Sequence, residues 1–336
     1  MRHFYLSHLV TIIGLFLAYA WAGLPGVGIA ALLMVMEITL SFDNAVVNAA
    51  VLKHMSEVWQ KRFLTWGILI AVFGMRLLFP IVIVALATGL GAVEVTQLAL
   101  DNPDEYSRHV LASHVQIASF GGMFLLMVFL SFVMDEGKDL HWIGMIERKL
   151  AVMGKLESIQ VVVVLVILLS MTAFIPEAEQ TGALISGVIG VILYVLVKGI
   201  TALCGGDEDA GHDATKAVGY SGFMGFMYLQ LLDASFSLDG VIGAFAMSKD
   251  IIIIMLGLGI GAMFVRSLTV YLVRKGTLNE YIYLEHGAHY GIGALAVIML
   301  ASMLTHVPEF ITGLIGLTFI LLSFWSSVRH RKHLTH

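Results

Sequence analysis

The chain has 336 residues, of which 59% are apolar and 13% charged, against about 45–50% and 25% in an ordinary soluble domain. With a mean hydropathy of +0.91 sustained along the whole length, a water-soluble globule is excluded. The net charge of −5 comes without a basic stripe, which excludes a nucleic-acid partner, and the single cysteine, Cys204, excludes internal disulfides and thiolate-rich metal sites.

Apolar runs long enough to span about 30 Å of hydrocarbon occur ten times, at roughly 6–23, 27–51, 63–89, 111–134, 157–175, 180–203, 220–248, 250–273, 288–305 and 308–328. The expected fold class is an all-α polytopic membrane protein of about ten transmembrane helices in one integral membrane domain, with the lipid bilayer as its solvent. The first run, with Arg2 and His3 before it and Ala18-Tyr19-Ala20 near its end, also fits a signal peptide; it is read as a span because the repeat below requires one. Pro25, Pro103, Pro176 and Pro308 fall near predicted ends, and Pro80 alone falls inside a run. With both termini cytoplasmic, fifteen Lys and Arg lie in inner segments and two, Arg108 and Lys249, in outer ones, which sets that orientation in the cell's inner (plasma) membrane. Acidic residues at Asp101, Asp104, Glu105, Glu177 and Glu179 outside, and at Asp207, Glu208, Asp209 and Asp213 inside, read as solvated loops.

The second and seventh runs share a pattern. Glu37-Ile-Thr-Leu-Ser41-Phe-Asp43-Asn44 superposes on Asp233-Ala-Ser235-Phe-Ser237-Leu-Asp239-Gly240 with a shift of 196 positions. Five spans separate the copies, an odd number, so they cross the membrane in opposite directions. The same pairing sets Arg76 in the third run against Arg266 in the eighth, and His114 against His289. The chain therefore divides into two inverted-topology repeats, 1–178 and 179–336, the arrangement of transporters whose site lies near the midplane where the halves meet.

Four carboxylates, Glu37, Asp43, Asp233 and Asp239, fall near the middle of their spans, where an uncompensated charge costs at least about 2.5–3.5 kcal/mol. On a regular helix the two acids of each copy point about 240° apart, so a break near Ser41–Asn44, and another at Ser237–Gly240, is expected to turn both inward. Carboxylate, hydroxyl, amide and carbonyl oxygens without sulfur suit a hard divalent cation, Mn²⁺, Mg²⁺ or Ca²⁺. Ser41 and Ser237 would support the site. Arg76 and Arg266 are read as counter-ions that pair with the acids when the cation is absent, or with helix-end carbonyls. His109, His114, His286 and His289 form two small groups at the entrances of the fourth and ninth runs, and His286-x-x-His289 could bind a borderline metal or relay protons. No Walker A, HExxH or GxSxG motif occurs and no histidine adjoins the four acids, so the chain is not read as an enzyme.

Glu37-x-x-Leu40-Ser41-x-Asp43-Asn44 and Ser237-x-Asp239 resemble the two signature motifs of the TerC family of integral membrane proteins, named from tellurite-resistance operons and placed with the LysE-type transporters. Asp233-Ala-Ser-Phe-Ser-Leu-Asp-Gly-Val-Ile-Gly and Glu285-His-Gly-Ala-His-Tyr resemble a longer branch of it. The resemblance implies Mn²⁺ export with Glu37, Asp43, Asn44, Asp233 and Asp239 as ligands. Gly240, where typical members carry Ser, and a count of ten spans depart from the family pattern. The expected function is thus a secondary transporter exporting a divalent cation, Mn²⁺ favoured, by proton exchange if the acids titrate. The alternative is a non-transporting scaffold of a metal or tellurite stress complex, whose 207–213 and 135–157 loops would dock soluble stress proteins or a second copy of the chain.

Overall fold

Among the described residues the chain is helical and without strands, as suits a backbone that must satisfy its own N–H and C=O groups away from water. The computed structural model describes residues 4–135, 137–138, 140–154, 158–205, 222–305 and 307–334. The acidic 207–213 segment and the Asp239 side chain lie outside the described residues. In chain order the helices are α1 (Tyr5–Leu40), α2 (Phe42–Leu52), α3 (Glu57–Leu69), a π-helical stretch (Ile70–Leu78), α4 (Phe79–Thr88), α5 (Ala92–Asp101), α6 (Pro103–Ala112), α7 (His114–Val133), α8 (Gly144–Gly154), α9 (Ile159–Thr172), α10 (Glu177–Gly205), α11 (Gly222–Met247), α12 (Ile251–Lys275), α13 (Thr277–Glu280), α14 (Leu284–Ser302) and α15 (Glu309–Leu334).

Among the described residues six helices are long and apolar enough to cross a membrane: α1, the joined helix Glu57–Ala85, α7, Glu177–Ile200 of α10, α12, and Ile311–Arg331 of α15. The bent pair α8 and α9 makes a seventh if it is one broken span. α7 and α12 are the inner pair, their apolar windows 78% and 72% buried, while the other four are only 22–33% buried. The outer helices expose Ile12, Phe16, Trp66 and Ile185, apolar surface that water would not tolerate on this scale. This is a membrane protein.

The ten apolar runs all fall on helices, but the first two share α1. That helix folds back at Ala22–Gly23, where Gly23 has φ 67° and ψ −157°, a region essentially reserved for glycine. A Cβ on Gly26 would lie 2.9 Å from the Ala18 carbonyl oxygen, although eight residues of straight helix would separate them by about 12 Å. Both arms pack along α12. Ser7 Oγ donates to the Met263 carbonyl and Gly14 faces Ile260 on the first arm. On the second, Ala30 faces Gly257 and Glu37 faces Gly261, so the arms pass α12 in opposite directions. A Cβ at Gly261 would come within 2.6 Å of Glu37 Cβ; the missing side chain lets the acid's backbone lie directly on α12.

Two segments expected as loops are helical. α5 and α6 occupy 92–112, and α8 lies within 135–157. Asn102 caps α6, its side chain accepting from the Glu105 N–H, with Pro103 at the first helical position. The buried face of these helices is short, Val95, Ala99, Tyr106 and Val110, too short to register as an apolar span. The break expected at Ser41 is present, separating α1 from α2. The second is not: α11 runs unbroken through Ser237–Gly240.

Candidate metal centre

A small cavity of about 10 Å³ lies where the second arm of α1, α2, the π-helical stretch, α11 and α12 converge, lined by Glu37, Ser41, Asn44, Asn48, Arg76, Asp233, Ser237 and Arg266 with Ala71, Ala262 and Val265. It has room for about one water-sized sphere. All its charged residues are at most 8% exposed, so each charge must be answered nearby.

Each acid is answered by one arginine. Arg76 Nη2 donates to Glu37 Oε1, and Arg266 Nη2 donates to Asp233 Oδ2. Arg76 is presented by the π-helical stretch, where the ladder is wider and such departures gather at functional sites. Its Nη1 donates 2.6 Å back to the Ala71 carbonyl of the same stretch. Arg266 reaches across to another helix, its Nη1 donating to the Phe63 carbonyl at 2.9 Å and its guanidinium lying 4.3 Å from the centre of the Phe63 ring. Ser41 Oγ donates to Glu37 Oε1 at 3.2 Å. Asn44 and Asn48, one turn apart on α2, both donate to Asp233 Oδ1, at 3.1 and 2.6 Å.

The Oδ1 atoms of both amides and Ser237 Oγ have no hydrogen-bond partner among the described residues, and all three residues line the cavity. An unpaired buried acceptor costs about 1–3 kcal/mol, so three of them on residues that line one small cavity favour a positive charge or a hydrogen-bond donor there. Among the described residues no group of three or more His, Cys, Asp or Glu is close enough to hold a metal. The oxygen-bearing groups that line the cavity are instead two carboxylates, two amides and two hydroxyls, a chemistry that suits a hard cation.

The matched residues 42–334 fit the family described as "Protein of unknown function (DUF475)". The chain belongs to the DUF475 family. No curated protein and no solved structure matches it. Of the cavity, Glu37 and Ser41 lie just ahead of the matched residues and the other lining groups lie within them.

In this DUF475 chain two of the four expected acids, Glu37 and Asp233, line one cavity. Glu37, Ser41, Asn44, Asp233, Ser237, Arg76 and Arg266 come together. Asp43 does not. It sits in the first turn of α2, where its Oδ1 accepts the Asn44 N–H at 2.9 Å. Its Oδ2 faces α14 and α15, within 3.3 and 2.9 Å of where Cβ atoms on Gly291 and Gly316 would be. Turning the helix at Ser41 therefore aimed Asn44 and Asn48, rather than Asp43, at the cavity. Asp239 lies on α11, and its side chain is outside the described residues.

The histidines stand elsewhere. His114 lines a separate cavity of about 490 Å³ with Glu179, Ser302 and Thr312, and its Nε2 meets Ser302 Oγ at 3.3 Å. His289 lies flat on the Phe132 ring at 3.7 Å, with Nδ1 on the Glu285 carbonyl. His286 Nε2 is 2.9 Å from the Leu140 carbonyl and 3.7 Å from Glu147. Neither His114 nor His289 lines the small cavity, and the His286-x-x-His289 pair is spent on backbone carbonyls instead of converging on one point.

Sequence reasoning missed Asn48, one turn beyond Asn44, although that spacing places both on one face. It also missed Glu147, fully buried on α8 and held by Lys138 at 3.0 Å, the Ile143 N–H at 3.0 Å and the Tyr290 hydroxyl at 3.1 Å. That acid docks α8 on α14.

Proposed function

We propose that this protein is a secondary transporter that exports a divalent metal cation, Mn²⁺ first and Mg²⁺ or Ca²⁺ as the alternatives the oxygen set also suits. The reading rests on one observation: an ion-sized cavity whose two buried carboxylates already hold a positive guanidinium each, while three further oxygens of its lining residues have no hydrogen-bond partner among the described residues. A site that is neutralised by internal cations when empty can exchange them for a metal when full. The likeness to the TerC family motifs, Glu37 to Asn44 and Ser237 to Asp239, supports the same cargo.

The two pairs also support the inverted repeat, 1–178 against 179–336. Glu37 and Asp233 are equivalent under the shift of 196, and each takes the arginine of its own half. Ten spans, with α1 counted as two and both termini in the cytoplasm, complete this architecture. Exporting a divalent ion against a negative-inside potential costs about 4.6 kcal/mol at 100 mV, and counter-movement of protons offsets it in this reading.

The test is a proteoliposome holding a Mn²⁺-quenched dye and a pH dye. Wild-type protein should admit Mn²⁺ with protons moving oppositely, and Glu37→Gln should abolish both signals. A wild-type protein that moves neither Mn²⁺, Mg²⁺ nor Ca²⁺ rejects the transporter.

A further inference from the structure

The two arginines are equivalent in the repeat but not in their surroundings. Arg76 is tied to its own stretch through Ala71. Arg266 spans two helices, and beside it lies a buried group that nothing uses. Gln230, one turn before Asp233 on α11, is 4% exposed, and neither its Oε1 nor its Nε2 has a hydrogen-bond partner among the described residues. Gly67 of α3 opens the notch that brings them together: a Cβ there would meet Arg266 Nη1 at 2.6 Å and Gln230 Nε2 at 3.0 Å. Two nitrogen donors thus face one glycine, an arrangement with no hydrogen bond between them.

Leaving an amide wholly unsatisfied in a buried site costs about 1–3 kcal/mol for each group, and an apolar side chain of the same size would remove that cost. Rotating the Gln230 amide by half a turn exchanges its nitrogen for its oxygen. The notch then offers Arg266 an acceptor, beside the Phe63 carbonyl and the Phe63 ring that it already touches. Those three groups together make a second seat for a guanidinium that has let go of Asp233.

We propose that Arg266 is the mobile counter-ion of the site and that Gln230, with Phe63, is the seat it takes when a divalent cation claims Asp233. The inference deepens the transporter reading and rests on it. Gln230 is a positioning residue here: it acts on the metal only through Arg266. Arg76, held by Ala71, stays with its acid or moves far less. The cavity in turn exchanges one resident positive charge for the arriving two, which lowers the charge imbalance of loading.

The experiment is Mn²⁺ titration calorimetry on detergent-purified full-length protein, as a double-mutant cycle of Gln230→Leu and Arg266→Lys. Lysine keeps the positive charge but has no second arm to reach Asp233 and the notch together. Gln230→Leu should weaken Mn²⁺ binding about tenfold in the wild-type background and less than twofold beside Arg266→Lys. Its melting temperature should match or exceed that of wild type, because an unsatisfied amide has been removed. If Gln230→Leu does not fold, Gln230→Met carries the same expectation. Binding within twofold of wild type, or an equal loss in both backgrounds, overturns the role of Gln230. Wild-type protein that binds no Mn²⁺, Mg²⁺ or Ca²⁺ at all overturns the transporter reading first, and the seat with it.

Discussion

At the scale of single residues, burial decides what each polar group is worth. Glu37 and Arg76 are 2% and 5% exposed, and removing one partner of such a pair strands the other in a medium that cannot solvate it, at about 3–5 kcal/mol. Glu37→Gln should therefore lower the melting temperature and abolish Mn²⁺ binding, whereas Glu37→Gln with Arg76→Gln should regain much of the stability but none of the binding. Thermal unfolding in detergent reads the first effect and calorimetry the second; a single variant as stable as wild type would show that the pair is not held out of water. Glu37 and Asp233 could be picked out from the sequence because a carboxylate in the middle of an apolar run is costly. Asn48 and Gln230 could not, because an amide in a helix carries no comparable penalty until its neighbours are known.

At the scale of elements, three local features shape the site: the reversal in α1, the break at Ser41 and the widened helix around Arg76. The reversal depends on Gly23, whose dihedrals cost a residue with a Cβ about 1–3 kcal/mol, although a Cβ there would touch only Pro25, at 3.8 Å. Gly23→Ala should destabilise by that amount through conformation alone, and the Ser7–Met263 and Glu37–Gly261 contacts of the two arms should loosen together in hydrogen exchange of α1 and α12. Unchanged melting would contradict the hairpin. α8 depends on a charge, as Glu147 accepts from the Ile143 N–H and the Tyr290 hydroxyl and is ion-paired with Lys138. Hydrogen bonds to a charged group contribute about 1.5–3 kcal/mol each, so Glu147→Ala should speed amide exchange in 144–154 at least tenfold while α7 and α12 keep their protection. Equal protection of α8 in both proteins would mean that its apolar face docks it.

At the scale of the whole molecule, the proposed orientation rests on the fifteen-to-two division of Lys and Arg between inner and outer segments. Asp101 is exposed at the end of α5, in a segment expected outside. With Cys204→Ser in place, Asp101→Cys should react with an impermeant maleimide in intact cells, and reaction only after lysis would invert the topology. The inner pair α7 and α12 takes the burial while α1, α10 and α15 face outward. That division follows from composition no more than the site does, since all six helices are similarly apolar.

The membrane class, the ten apolar runs, the matched motifs and the four charged residues that line the small cavity were legible in the sequence by itself, because hydropathy and the cost of burying charge are properties of single residues and short windows. Which of those residues meet was decided only by the tertiary structure. The helix break at Ser41 is local and could be anticipated. Its consequence, Asn44 and Asn48 turned to Asp233 while Asp43 turns to Gly291 and Gly316, depends on the direction in which α2 leaves α1 and on the helices waiting on each side. The same holds for α11, which needs no break because α2 brings the amides to it. A side chain's partner is set by packing between distant segments, and no window of sequence contains that information.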